Sequence, residues 1–148
     1  MRLPQATSDR PLPMVELLHT LPDGTVHVDW MIAQDPEASH SLITFRLPRP
    51  LTELKPGEEL IARRIADHRP SYLTYEGPIS GGRGTVRCLA RGRVSQWIET
   101  ARGWEMEILH DSETGPVPPF RLRLVPRPDQ QWVIVIMTPD SLSFDAET

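Results

Sequence analysis

Short runs of apolar residues, broken every six to ten positions by turn signals, set the character of this chain. Strand-like runs occupy Val15–Leu21, Thr25–Ala33, Ser41–Leu47, Leu60–Ala66 and Tyr72–Tyr75. They continue at Thr85–Ala90, Val94–Glu99, Trp104–His110, Phe120–Val125 and Trp132–Met137. The first two flank Pro22-Asp23-Gly24, where glycine can supply the positive φ of a hairpin turn. Sixteen prolines, spread from Pro4 to Pro139, exclude long helices, because an interior proline removes a hydrogen bond and clashes with the preceding turn. About nine strands at this spacing predict a mostly β fold. The expected architecture is one domain, a small closed or nearly closed antiparallel β-barrel over 14–137. A flexible arm (1–13) precedes it and an acidic tail (138–148) follows.

On the second run, alternation of side chains predicts two faces. Val26, Val28, Trp30 and Ile32 form a core face, while His27, Asp29 and Met31 point the other way. His27 and Asp29 are two strand rises apart, about 7 Å at Cα, so both can reach one small ion. The hairpin folds His19 back across from His27 as a third donor, or leaves it an unrelated surface histidine. Two imidazoles and a carboxylate would suit zinc or manganese.

Composition narrows the picture only a little. The net charge is −4, so the chain as a whole offers nucleic acid no attraction and any such binding must be local. Lys55 is the one lysine; the other fifteen basic residues are arginines, which would suit forked contacts to phosphate, but codon bias is the better explanation. The single cysteine, Cys88, excludes an intramolecular disulfide and a cysteine-rich zinc site. No apolar run is long enough to span a membrane and no signal peptide is evident, so a cytoplasmic location is expected.

A second polar cluster, His68-Arg69-Pro70-Ser71-Tyr72, lies at a strand end or turn, because Pro70 biases Arg69 to an extended conformation. Its histidine and tyrosine could hold a phosphate and donate protons; alternatively Tyr72 packs and His68 caps a turn. Gly81-Gly82-Arg83-Gly84 precedes a strand rather than a helix, so it is read as a tight turn, not a phosphate cradle. There is no Gly-x-Ser-x-Gly elbow. The four tryptophans sit in apolar runs, which favours core packing over base stacking.

The order of these motifs resembles the 3′-phosphoesterase domain of bacterial DNA ligase D proteins. That family has a first histidine, then His-x-Asp-x-Arg, Trp-x-Val-Pro-Lys-Gly, Asp-His-Pro-x-x-Tyr, Phe-Glu-Gly-x-Ile-Pro and a glycine-rich turn before Gly-Thr-Val. Here the text reads His19, His27-Val28-Asp29-Trp30-Met31, Phe45-Arg46-Leu47-Pro48-Arg49-Pro50, Asp67-His68-Arg69-Pro70-Ser71-Tyr72, Tyr75-Glu76-Gly77-Pro78-Ile79-Ser80 and Gly84-Thr85-Val86. The likeness spans roughly Val15 to Met137.

The resemblance implies that His19, His27 and Asp29 hold manganese or zinc, that His68 and Tyr72 contact the scissile phosphate, and that Arg49 keeps the cation of the family's lysine. It implies a DNA-repair hydrolase that removes a 3′-phosphate or 3′-ribonucleoside from the end of a DNA or DNA/RNA primer. With no ligase or polymerase module of its own, the chain would act beside such enzymes in trans. The family's arginine after the His-x-Asp pair is Met31 here, and Arg46, Arg63 and Arg64 are the candidates to replace its charge. The alternative implied by that loss is an inactive barrel that binds nucleic acid or a partner.

Overall fold

The computed structural model describes residues 3–115 and 117–138. Nine strands form among these residues: β1 (Leu12–Thr20), β2 (Val26–Ile32), β3 (Leu42–Leu47), β4 (Glu59–His68), β5 (Gly77–Pro78), β6 (Thr85–Thr100), β7 (Gly103–His110), β8 (Phe120–Pro126) and β9 (Gln131–Ile136). Eight of them close an antiparallel barrel in the order β1-β2-β3-β4-β9-β8-β7-β6, with β6 pairing back to β1. The two-residue β5 lies outside the ring against the start of β6. Closure leaves no free edge within the eight-stranded ring. Among the described residues no helix is long and apolar enough to cross a membrane.

The expected mostly β, single-domain barrel is therefore what the chain adopts, with local differences that have clear causes. The runs Thr85–Ala90 and Val94–Glu99 are one strand, β6, which continues through Gly92. A Cβ there would sit 2.6 Å from the Leu109 carbonyl oxygen, so Gly92 marks a close approach of strands rather than a break. The Tyr72–Tyr75 run is not a strand. Pro70 opens a 3-10 turn over Pro70–Leu73, its fixed φ suited to the first position, and Arg69 before it is extended (φ −68°, ψ 145°), as a pre-proline residue should be.

The barrel also begins earlier than the expected arm allows. Leu12 is fully buried in β1, and Leu3 and Ala6 pack against the core. The acidic tail, apart from Thr138, lies outside the described residues.

Inside the barrel, Trp30 packs on Phe45 with ring centroids 5.7 Å apart, and Trp132, Trp104 and Trp97 extend the cluster. All four tryptophans thus belong to the core. Val28, Trp30 and Ile32 face this interior as the alternation predicts, whereas Val26, at the rim, is 56% exposed. A polar pair crosses the same interior. Glu16, fully buried, accepts a hydrogen bond from the Leu51 amide at 2.7 Å and meets His110 Nε2 at 2.7 Å. It thereby ties β1 to the turn after β3 and to the end of β7.

The outer face of β1, β2 and β3 is covered as well. The segment between β4 and β6 folds back over it, so that Tyr72, Leu73 and Ile79 pack on Val15, Leu17, Met31 and Leu42. This second, smaller core puts the site residues under a roof.

Candidate metal centre and adjoining cleft

The β1–β2 hairpin sets the site. The Leu21 amide donates to the Thr25 carbonyl, Asp23 accepts from the Thr25 amide, and Gly24 takes φ +90°. That register places His19 directly opposite His27, with Asp29 one pleat further along the same outer face. The donor atoms form a triangle: His19 Nδ1 to His27 Nε2 is 2.9 Å, His19 Nδ1 to Asp29 Oδ2 is 3.6 Å and His27 Nε2 to Asp29 Oδ1 is 3.5 Å. An ion bound at about 2.0–2.2 Å holds neighbouring ligand atoms about 2.9–3.6 Å apart, so the three residues could hold a metal ion with little movement.

The surroundings prepare the donors. His19 Nε2 lies 2.8 Å from the Arg83 carbonyl oxygen, which can only accept. Its proton is therefore on Nε2 and the Nδ1 lone pair points at the centre, the arrangement that a metal-ligating imidazole needs. This contact depends on Gly84, at φ +96°, because a Cβ there would stand 2.0 Å from the Thr20 carbonyl oxygen. The glycine turn, read from sequence as a simple connection, thus positions a metal ligand. Asp29 is 1% exposed and accepts from Arg46 Nε at 3.2 Å, its register partner on β3.

Burial holds the His27 imidazole below its ordinary value of 6.5; Asp29 opposes the fall, while Arg46 and His19 add to it. His27 is thus neutral near pH 7; without metal its Nε2–H donates to His19 Nδ1, and binding a metal at Nε2 would require that proton to move to Nδ1. For the metal-free protein the sign follows from proton binding: the unfolded chain takes up the proton more readily. The stabilisation is complete above 6.5 and is lost as pH falls through the folded-state value. Urea midpoints measured in chelator from pH 8 to 5 should decline below about 6.5, and less so in His27→Gln. A decline of equal size in that variant would contradict this origin.

Beside the triad opens a cleft of about 420 Å³, lined by His19, Asp29, Arg46, His68, Tyr72 and Arg83, among others. Met31, buried in the second core, forms part of its floor. The fold therefore brings together His19, His27, Asp29, His68 and Tyr72, which sequence had singled out. His68 Nδ1 donates to the Ala66 carbonyl at 2.9 Å, which leaves Nε2 for the cleft. Its ring packs edge-on against Tyr72, with centroids 5.4 Å apart, so the structural roles considered for both residues are present alongside their place in the cleft wall.

Arg49 does not join them. The Pro48-Arg49-Pro50 turn carries it past the end of β3, where its guanidinium meets the Glu53 carbonyl at 3.4 Å and Glu58 at 3.9 Å. The cleft is lined instead by Arg69, Arg83 and Arg46, the last on the outward-facing pleat of β3 opposite Asp29. The signal was in the sequence but needed register: only pairing β3 correctly against β2 sets Arg46 beside the carboxylate. Cys88 sits in β6 with burial pushing its thiol up, which suits packing and not nucleophilic attack. No protein-family model matches the chain, and no curated protein matches it.

Proposed function

We propose that this barrel is a metal-dependent phosphoesterase acting on nucleic-acid 3′ ends, with manganese or zinc as the ion. The observation that carries the reading is the convergence of a buried His-His-Asp triad with a cleft bearing a histidine, a tyrosine and a half-exposed guanidinium. The ordered likeness to the ligase D 3′-phosphoesterase family supports the same chemistry.

When bound, a divalent ion supplies Lewis-acid polarisation of a phosphoryl oxygen and an activated water. The chain's own groups do the rest. Arg46 uses Nε on Asp29, and its two terminal nitrogens have no partner among the described residues, so they are available to fork onto phosphate oxygens. Tyr72 provides a neutral hydroxyl donor. His68, fixed through Nδ1, presents Nε2 as acceptor when neutral and as donor when protonated, able to pass a proton to a leaving oxygen. Arg46 takes over, from the neighbouring strand, the charge that Met31 lacks.

The test is a 3′-end-labelled primer incubated with purified protein and manganese or zinc, with release of phosphate or nucleoside as the readout. Tyr72→Phe and His68→Ala should each slow release by roughly 10²-fold without changing the thermal midpoint by more than a few degrees. Absence of release with every divalent ion tried would reject the reading. Met31 in the apolar floor favours a second one, a barrel that holds nucleic acid without turnover, for which salt-sensitive binding with no product is the signature.

A further inference from the structure

One row of residues crosses the outside of the barrel at the level of the metal triad. Register runs from Leu17 on β1 to Asp29 on β2, Arg46 on β3, Arg63 on β4 and Gln131 on β9. Arg63 faces outward, since its neighbours in β4 turn in: Ala62 is buried in the core and Arg64 lies over the interior Phe45 ring at 5.6 Å. Two arginines thus stand directly opposite each other on one exposed face. Asp29 answers Arg46, but Arg63 is exposed and has no hydrogen-bond or ion-pair partner among the described residues. The outward positions around it on β4 and β9 are Ile61, Gln131 and Val133, none of them acidic. Like charges directly opposite in a sheet are destabilising, so the pair is a local cost to the fold that an anion would relieve.

We propose that Arg63, with the free end of Arg46, holds the phosphodiester adjoining the reacting end of a single-stranded nucleic acid, so that the strand leaves the cleft across β3 and β4. This rests on the phosphoesterase reading and goes further, because it names the residue that holds the strand beyond the reacting end and the path the strand takes. Arg46 lies at the junction of cleft and row, and a guanidinium forks onto two oxygens of one phosphate without needing base contacts. The strand is held by its backbone, independent of sequence. The chain's net charge of −4 makes such a local row necessary for any attraction to nucleic acid.

Fluorescence anisotropy of a 5′-labelled single-stranded 12-mer ending in a 3′-phosphate, with the full chain in chelator so that nothing is cleaved, tests this. Arg63→Gln should weaken binding roughly fivefold to tenfold and lower the slope of log K against log salt by about 0.7. Its thermal midpoint should not fall, because the like-charge pair is relieved. Arg93→Gln, which removes the same charge from an ion pair with Asp111, is the control and should change neither quantity. Equal losses in the two variants, or no loss in Arg63→Gln, would overturn the proposal. Binding through Arg63 without release of product under manganese would sink the hydrolase reading while sustaining this one. Release of product with binding indifferent to Arg63 would do the reverse.

Discussion

Asp29→Ala should weaken divalent-metal binding more than about 100-fold, because loss of even an outer partner of a metal ligand typically costs 10- to 100-fold and Asp29 is itself a donor of the triad. The carboxylate is the only anion among the three donors, so without it two neutral imidazoles face an uncompensated dication. The His19–His27 contact at 2.9 Å survives the substitution, and Arg46, freed of its partner, is exposed enough to turn to solvent. The metal-free fold should therefore lose little. Thermal unfolding separates the two effects. A metal at a hundred times its dissociation constant adds about 2.7 kcal/mol to the native state. That increment should appear for the parent chain with manganese or zinc and vanish in Asp29→Ala. An undiminished increment in the variant would place the ion elsewhere. Primer cleavage should disappear with it.

The second large effect is on the fold, at a residue remote from the cleft. Glu16→Ala should cost about 3–5 kcal/mol, the usual penalty for stripping one partner from a buried polar pair. For a domain of this size that is a fall of roughly 10 °C or more in thermal midpoint. Glu16 is wholly enclosed, and its two oxygens answer the Leu51 amide and His110 Nε2, so alanine leaves a buried donor on each side and a cavity between them. Glu16→Gln keeps an acceptor for Leu51 and should lose less. A Glu16→Ala protein within about 1 kcal/mol of the parent would show that the pair is neutral to stability.

These two carboxylates illustrate what could be read in advance. Asp29 was legible because it shares a strand face with His27; period-two alternation places those two donors together, while the hairpin alone left His19 open and the family resemblance added it. Glu16 was not. It sits in an apolar run, and its partners are 35 and 94 residues away in sequence. No local pattern distinguishes an inward glutamate from an outward one when both faces of the strand are covered. β1 is nearly all buried for that reason, interior on one side and roofed by Tyr72, Leu73 and Ile79 on the other.

The same contrast separates Arg46 from Arg49. Its place at the position of the resembled family's lysine favoured Arg49, whereas the geometry of β3 favours Arg46, because a residue two past the strand end leaves the sheet face and one within it does not. The Gly92 region failed for a related reason. The sequence separates Thr85–Ala90 from Val94–Glu99, yet the strand runs on through Gly92, whose missing side chain admits a neighbouring backbone.

What the amino-acid order determined by itself was what short-range rules govern: strands rather than helices, from proline density and spacing; the hairpin, from Asp23-Gly24; the inward tryptophan face and the outward His-Asp face, from alternation. What only the tertiary structure decided were the relations set by closure and covering. Closing the ring brought Glu16 to His110. Folding 69–84 over the outer sheet set His68, Tyr72 and the Arg83 carbonyl beside the triad. Pairing β2, β3 and β4 chose Arg46 and aligned Arg63 with it. These contacts join residues distant in sequence, and their energies depend on burial and register that no local window of the chain contains.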